Sequence, residues 1–560
     1  MERVLLVEPN YKNKYPPIGL MKISSYYKSK GDYVEFHKGI LPRNEVEKYD
    51  KVLITTLFTF DFDMCVETIR YYVAIAGIDK VYVGGIASTI MPEKFEDAIP
   101  GIQLLKGQLT SSHVLGYNDC VNVDLLPLDY DILWDISYEY PAADSYFLYT
   151  SRGCPRKCSF CAVKTLEPVF YPCNNVKEQI TRVDEKFGPK RNLLIMDNNA
   201  LHSDDLEETI TELVSLGFGT KNNTIKKNNN VRYYLQSLKD RLSINKQYTH
   251  LLKRIKSEFF GVKATRISNS DKVKLSEILT HMESDSDDVV VQYLVQNEEY
   301  IIDFFDRYHY HTIKRYVDYN QGLDARLFTE AKAKQLSKLA IKPCRIAFDD
   351  IHNQDVYFAA LKLAADNGIS HFSNYLLYNY KEHPVDLWKR LYLNVSFCDE
   401  TPAVKSLFSF PMKYASIEHT DRSYVGEHWN KKYLKSMNVI LNVTSGVVAK
   451  EKDFFLRAFG ENEEEYLEIL AMPFDFIRYR DCFESNGLIK SWQSEYRSLL
   501  DEQIVELLNI LSSAENEQSV VNIVPKTNIK RILMYYGITK KGFEKNKAYY
   551  MREFKLSIDN

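Results

Sequence analysis

The 560-residue chain holds no apolar stretch that approaches a membrane span, so a helical integral membrane protein is not expected. It has no marked charge of one sign either. Lys and Arg number 72 against 76 Asp and Glu, a net charge of −4. That balance gives no global pull towards nucleic acid or an anionic surface, so any such contact must come from a local patch. Nine cysteines lack the spacing of a disulfide framework and suit a reducing interior. The opening run Met1-Glu2-Arg3-Val4-Leu5-Leu6-Val7-Glu8 enters a strand-like segment without a signal-peptide layout, and a cytoplasmic protein is expected. Against these absences stands a 45% apolar fraction, enough for sizeable cores, in a chain long enough for about three or four domains.

The chemistry concentrates in Gly153-Cys154-Pro155-Arg156-Lys157-Cys158-Ser159-Phe160-Cys161, three cysteines in eight residues. Soft thiolates this close together favour zinc, copper or an iron–sulfur cluster over a hard cation. Zinc in a closed site wants a fourth ligand, and no His or Cys follows at zinc-finger spacing, the next cysteine being Cys173. Three thiolates on a [4Fe–4S] cluster leave one iron open to a reacting ligand.

The pattern C-x3-C-x-aromatic-C resembles the signature of the radical SAM superfamily. The resemblance implies that Cys154, Cys158 and Cys161 hold a [4Fe–4S] cluster and that S-adenosylmethionine chelates its open iron. Reductive cleavage then gives a 5′-deoxyadenosyl radical, chemistry that belongs to the cofactor. A reducing partner of flavodoxin or ferredoxin type is implied with it. Phe160 would pack near the adenine, its backbone reading the base edge.

Residues 1–125 alternate short apolar runs with helical spacing: Val4–Val7, Ile18–Ser29, Val34–Phe36, Val52–Thr55, Phe62–Ala76 and Lys80–Gly85. This predicts a Rossmann-like domain with a parallel sheet. Set directly before the cysteines, it is similar to the cobalamin-binding domain of B12-dependent radical SAM enzymes. Pro16-Pro17-Ile18-Gly19-Leu20 and Gly84-Gly85 fit that resemblance. The base-off motif Asp-x-His-x-x-Gly is missing after the first strand, where Glu8-Pro9-Asn10-Tyr11 stands. An echo, Ser111-Ser112-His113-Val114-Leu115-Gly116, comes later in the chain. Bound cobalamin and an empty domain both stay open.

Residues 145–412 are expected to form a partial (β/α)6 TIM-like barrel. Strands fall at Tyr146–Thr150, Asn192–Met196, Tyr316–Asn320, Cys344–Asp350, His371–Tyr378 and Leu407–Pro411. A barrel places its chemistry at the C-terminal strand ends. Asn198 and Asn199 carry acceptor oxygens suited to the methionine amine of SAM, or alternatively form an Asx turn. Gln321, Asp324 and Arg326 resemble the family's third-strand cluster facing SAM or substrate.

An insertion at 220–312 interrupts this core. From Lys221 to Arg266 it holds twelve Lys and Arg against Asp240 and Glu258 alone, with tyrosines and phenylalanines between. That mixture suits single-stranded nucleic acid, or simply a solvated helical face. Residues 413–560 read as a mainly helical cap, with Arg422, His428 and Trp429 either facing substrate or packing the cap.

The function expected is a radical SAM enzyme modifying an unactivated C–H position of an unidentified substrate. Only Cys65 and Cys120 precede the motif, too few for the second cluster of a methylthiotransferase. Cys398 and Cys482 do not make the cysteine-rich tail of a peptide maturase. A cobalamin-dependent methyltransferase and a non-catalytic, metal-stabilised nucleic-acid-binding protein are the alternatives.

Overall fold

The computed structural model describes residues 1–554 apart from 174, 229, 264–266 and 309. The chain divides into two compact units. The first comprises Met1–Leu323, Glu330–Lys342 and Ser416–Arg422; the second comprises Asp324–Thr329, Pro343–Ala415 and Ser423–Asn560.

The first unit opens with an α/β sheet. Its strands are β1 (Arg3–Glu8), β2 (Tyr33–Lys38), β3 (Lys51–Thr56), β4 (Val81–Gly85) and β5 (Gln103–Leu105), all parallel in the order β2-β1-β3-β4-β5. Val4 to Glu8 are all buried, the continuous pattern of a central parallel strand covered on both faces. Helix α1 (Ile18–Ser29) joins β1 to β2, and α2 (Phe62–Ala76) lies between β3 and β4. The buried residues Cys65, Val66, Ile69 and Tyr72 recur along one side of α2, which ends at Gly77 with φ +90°. The expected parallel sheet is therefore present. The reversal of strand order falls between β1 and β3, where open α/β sheets place a ligand crevice.

After a linking stretch, β6 (Ser145–Leu148) leads to a small antiparallel pair, β7 (Ser151–Arg152) with β8 (Tyr171–Pro172). Helix α3 (Val176–Phe187) follows, then β9 (Asn192–Ile195). The insertion follows within the same compact unit. Strand β10 (Thr224–Asn228) pairs antiparallel with β11 (Tyr310–Lys314) and closes its neck. Between them run α4 (Val231–Ser243), α5 (Thr249–Phe260), α6 (Asn269–Ser284), α7 (Asp287–Gln296) and α8 (Glu298–Tyr308), packed on a core that includes Leu235, Leu252, Phe259, Leu294 and Phe304. Strand β12 (Tyr316–Tyr319) then completes a parallel sheet in the order β12-β9-β6.

Among the described residues, six of the twelve cations of the basic run are paired, five of them with acids outside it. Arg232 pairs with Asp306, Lys239 with Glu298, Lys256 with Asp287 and Arg254 with Glu258. Arg241 and Lys246 are buried. They meet Asp131 and Asp135, which precede β6, at 2.8 to 3.0 Å. Asp135 also accepts the Phe36 amide of β2 at 2.9 Å, and Lys246 donates to the Val34 carbonyl at 2.8 Å. Arg266, the last residue of the run, lies outside the described residues.

The second unit holds the other three expected strands, β13 (Cys344–Arg345), β14 (His371–Tyr378) and β15 (Ser406–Lys413), parallel in that order. Helices α9 (Gln354–Asp366) and α10 (Pro384–Glu400) make the two crossovers. The rest is helical, with Trp388, Tyr466 and Trp492 among its buried side chains. The six expected strands thus stand in two sheets of three. Trp429 is buried, with its indole N–H donating to the Glu382 carbonyl at 3.1 Å, so it packs the unit rather than facing outward. No described helix is long and apolar enough to cross a membrane.

Candidate metal centre

The three cysteines follow the C-terminal end of β6. The β7–β8 pair pinches off residues 153–170 as a loop, and Gly153 sits at its neck. Gly153 has φ +76°, and a Cβ there would lie 2.1 Å from the Val169 carbonyl oxygen. Only glycine satisfies both the positive φ and the close approach.

The loop is held from behind by two carboxylates. Glu167 accepts the Gly153 amide and the Asn198 side-chain amide through Oε2, each at 2.7 Å, while its Oε1 pairs with Arg152 at 2.9 Å. Arg152 also reaches Asp124 at 3.3 Å and lies over the Tyr149 ring at 3.8 Å. Asp197, just past β9, accepts the Thr150 amide at 2.7 Å and the hydroxyls of Thr150 and Ser151. Burial pushes the Asp197 carboxyl up to about 6 even against these donors. The ends of β6 and β9 are thereby tied together beneath the thiols.

Cys154, Cys158 and Cys161 are all reduced and half-buried. The Cys161 amide donates to the Cys158 carbonyl at 3.1 Å, so the second half of the motif is a tight turn. Asn199 donates its side-chain amide to the Cys154 sulfur at 3.6 Å, the kind of N–H···S contact that tunes a metal-bound thiolate. Phe160 is half-buried beside Cys161. Among the described residues no three His, Cys, Asp or Glu side chains converge on one point as a single-ion site requires. A cubane asks something different, one thiolate for each of three irons. A glycine-necked loop carrying three half-buried thiols and an N–H···S donor has the donor set for that group.

Of the other expected site residues, Asn198 and Asn199 are brought to this loop, through Glu167 and Cys154 respectively. Gln321 is exposed just past β12, at the same C-terminal edge of the three-stranded sheet. Asp324 and Arg326 belong to the second unit and pair with each other, Nε to Oδ1 at 2.7 Å and Nη2 to Oδ2 at 3.2 Å. There Asp349 sits among Arg390, Arg326 and Asp324, its carboxyl raised to about 6 chiefly by burial. Sequence reasoning passed over Arg152, Glu167, Asp197 and Asp349. A glycine directly before the first cysteine was the one local signal that the loop needed special support.

A corrin on the N-terminal sheet would need a cobalt ligand at the C-terminal strand edge. At the end of β1, Glu8 is buried and paired with Lys38 at 2.6 Å, and it also accepts the Tyr140 hydroxyl. His113 lies at the other end of the sheet. Its loop neighbour Tyr117 bonds Glu2 and Lys51, which precede or begin β1 and β3. His113 is turned towards Ser111 Oγ at 2.9 Å and Cys120 Sγ at 3.8 Å. Neither Glu8 nor His113 offers cobalt a nitrogen ligand at the C-terminal strand edge.

No family model matches the sequence, and no curated protein matches it.

Proposed function

We propose that the chain is a radical SAM enzyme, with Cys154, Cys158 and Cys161 holding a [4Fe–4S] cluster and S-adenosylmethionine as co-substrate. The observation that carries this reading is the thiol loop itself, three half-exposed cysteines at C-x3-C-x-F-C spacing, necked by Gly153 at the end of a parallel strand. When bound, the cluster would supply the electron that splits the sulfonium of SAM reductively.

The chain's own residues position and tune. Arg152 and Glu167 fix the neck so that Cys154 leaves it in one direction. Asn199 donates to the Cys154 sulfur and so orients it. Asn198, having given its amide nitrogen to Glu167, keeps its carbonyl oxygen as an acceptor suited to an ammonium group. The substrate is a C–H compound that the sequence does not identify, and the electron would come from a flavodoxin- or ferredoxin-type donor.

Anaerobic reconstitution with iron and sulfide, followed by SAM and a strong reductant, tests this directly. Four irons per chain and 5′-deoxyadenosine among the products are expected. Cys154→Ala, Cys158→Ala and Cys161→Ala should each bring that product below detection. One zinc per chain without nucleoside product, or an alanine variant that still cleaves SAM, would overturn the reading.

A further inference from the structure

A cavity of about 860 Å³ lies in the first unit, in the upper part of the range of small-molecule sites. Its lining includes Ala143 and Asp144, just before β6, and Arg191, just before β9. It therefore sits at the N-terminal ends of those strands, away from the thiol loop at their C-terminal ends. The remaining walls come mainly from the stretch before β6 and from α4 and α5 of the insertion, with Phe187, Lys190 and Ile313 completing them.

Two features of this lining occur together. The first is a set of half-buried aromatic side chains, Trp134, Tyr138, Tyr233 and Tyr234. Trp134 and Tyr234 stand edge to face, with ring centroids 5.5 Å apart. Arg254, paired with Glu258 at 2.6 Å, holds the Tyr234 side. The second feature is a pair of exposed cations, Arg191 and Lys253, that make no ion pair among the described residues. They contrast with Arg232, Lys239, Arg241, Lys246, Arg254 and Lys256 of the same insertion, all of which are paired. Aromatic faces accept any nucleobase by stacking, and a guanidinium or ammonium at the rim answers a phosphate. Glu139 and Asp144 also line the cavity, which limits the site to one or two phosphates rather than a long backbone track.

We propose that this cavity binds a nucleotide unit, its base against Trp134 and Tyr234 and its phosphate at Arg191 and Lys253. The unit can come from a free nucleotide or from a single-stranded nucleic acid. The proposal stands whether or not the thiol loop holds a cluster.

Intrinsic fluorescence reads this site selectively. Of the four tryptophans, Trp388, Trp429 and Trp492 are 7%, 6% and 0% exposed, whereas Trp134 is half-buried at the cavity wall. The full chain is titrated with adenosine monophosphate and, separately, with a fluorescein-labelled 12-nucleotide single strand. Saturable quenching is expected from at least one probe and should vanish in Trp134→Phe. Quenching by both probes assigns a free-nucleotide site, and quenching by the strand alone assigns a nucleic-acid site. Tyr234→Ala should weaken binding by about fivefold or more, from the loss of one stacking partner. With two phosphate contacts, strand binding should weaken about sevenfold between 50 and 200 mM salt. The R191E/K253E double variant should lose tenfold or more, while K362E, outside the cavity lining, should bind as the native chain does. Thermal melts of the variants establish that they are folded. The absence of quenching by either probe, or native-like affinity in the folded R191E/K253E variant, would overturn the proposal.

Discussion

Two parallel strands of the first unit, β1 and β6, end in opposite ways. At the end of β1 the ionisable groups answer one another inside the protein. Glu8 is 1% exposed, and Lys38 stands over the rings of Tyr11, Tyr138 and Tyr140 at 4.8 to 5.6 Å. Burial pushes the Glu8 carboxyl up, and Lys38 opposes that shift. At the end of β6 the carboxylates Glu167 and Asp197 lie behind the backbone and bind its amides and hydroxyls, while the thiols stay half-exposed in front. A strand end becomes a plug when its charges pair across it. It becomes a platform when they bind the main chain as well, as Glu167 does while pairing with Arg152.

The contrast is open to test by breaking each end in turn. The largest effect belongs to the plug. Lys38→Ala leaves Glu8 buried without its counter-ion and should destabilise the chain by about 3–5 kcal/mol in denaturant unfolding. A Lys38→Met, Glu8→Leu double variant should recover most of that loss. If Lys38→Ala unfolds like the native chain, the plug is not a closed pair.

The platform should show its acid through pH. Asp197 titrates near 6 in the folded chain against an ordinary 3.8, so the native state holds the proton more tightly than the unfolded state. Its contribution to stability is full below about 3.8 and is lost as pH rises through about 6, a change of about 3 kcal/mol. Stability of the native chain minus that of Asp197→Asn should therefore fall between pH 4 and 6.5 and stay level above. A difference that rises with pH would place the carboxylate in a stabilised, ionised state instead.

Gly153→Ala should cost about 1–3 kcal/mol for its positive φ alone. The clash with the Val169 carbonyl should also displace the thiols, so iron uptake on reconstitution should drop more than thermal stability does. The smallest effect is expected at Asn199→Ala, which removes one N–H···S bond worth about 0.5–1.5 kcal/mol. Iron content should be retained and the reduction potential of the reconstituted cluster should fall, as measured by redox titration. An unchanged potential would detach Asn199 from the thiol.

The sequence made the N-terminal sheet legible because its central strands are apolar without interruption, a pattern that survives with no knowledge of partners. The thiol loop was legible for the same reason: its chemistry is written in consecutive residues. What lay hidden was support arriving from a distance. Glu167 follows the last thiol by six positions and reads as one more surface acid. Asp197 looks like the start of a turn until Thr150 and Ser151 are found bonded to it. The basic run from 221 shows where counting along the chain stops short. Counted along the chain it is a strong positive patch, but Asp131 and Asp135, about a hundred residues upstream, take up Arg241 and Lys246 in the interior. Charge read along a chain predicts a surface only for side chains whose partners are near in sequence.

The insertion is, by position, an interruption between β9 and β12 that removal by a short loop would seem to tidy away. The buried contact of Arg241 and Lys246 with Asp131 and Asp135 forbids that economy. Excising 220–312 would leave Asp135 inside the protein with no cation and Asp131 with Lys28 alone. Expressing residues 1–140 alone would strand Asp135 in the same way, and a graft of the insertion elsewhere would carry two buried cations with nothing to meet them. The segment that looks most dispensable is tied to the stretch before β6 and to β2, so the first unit must be expressed and engineered whole.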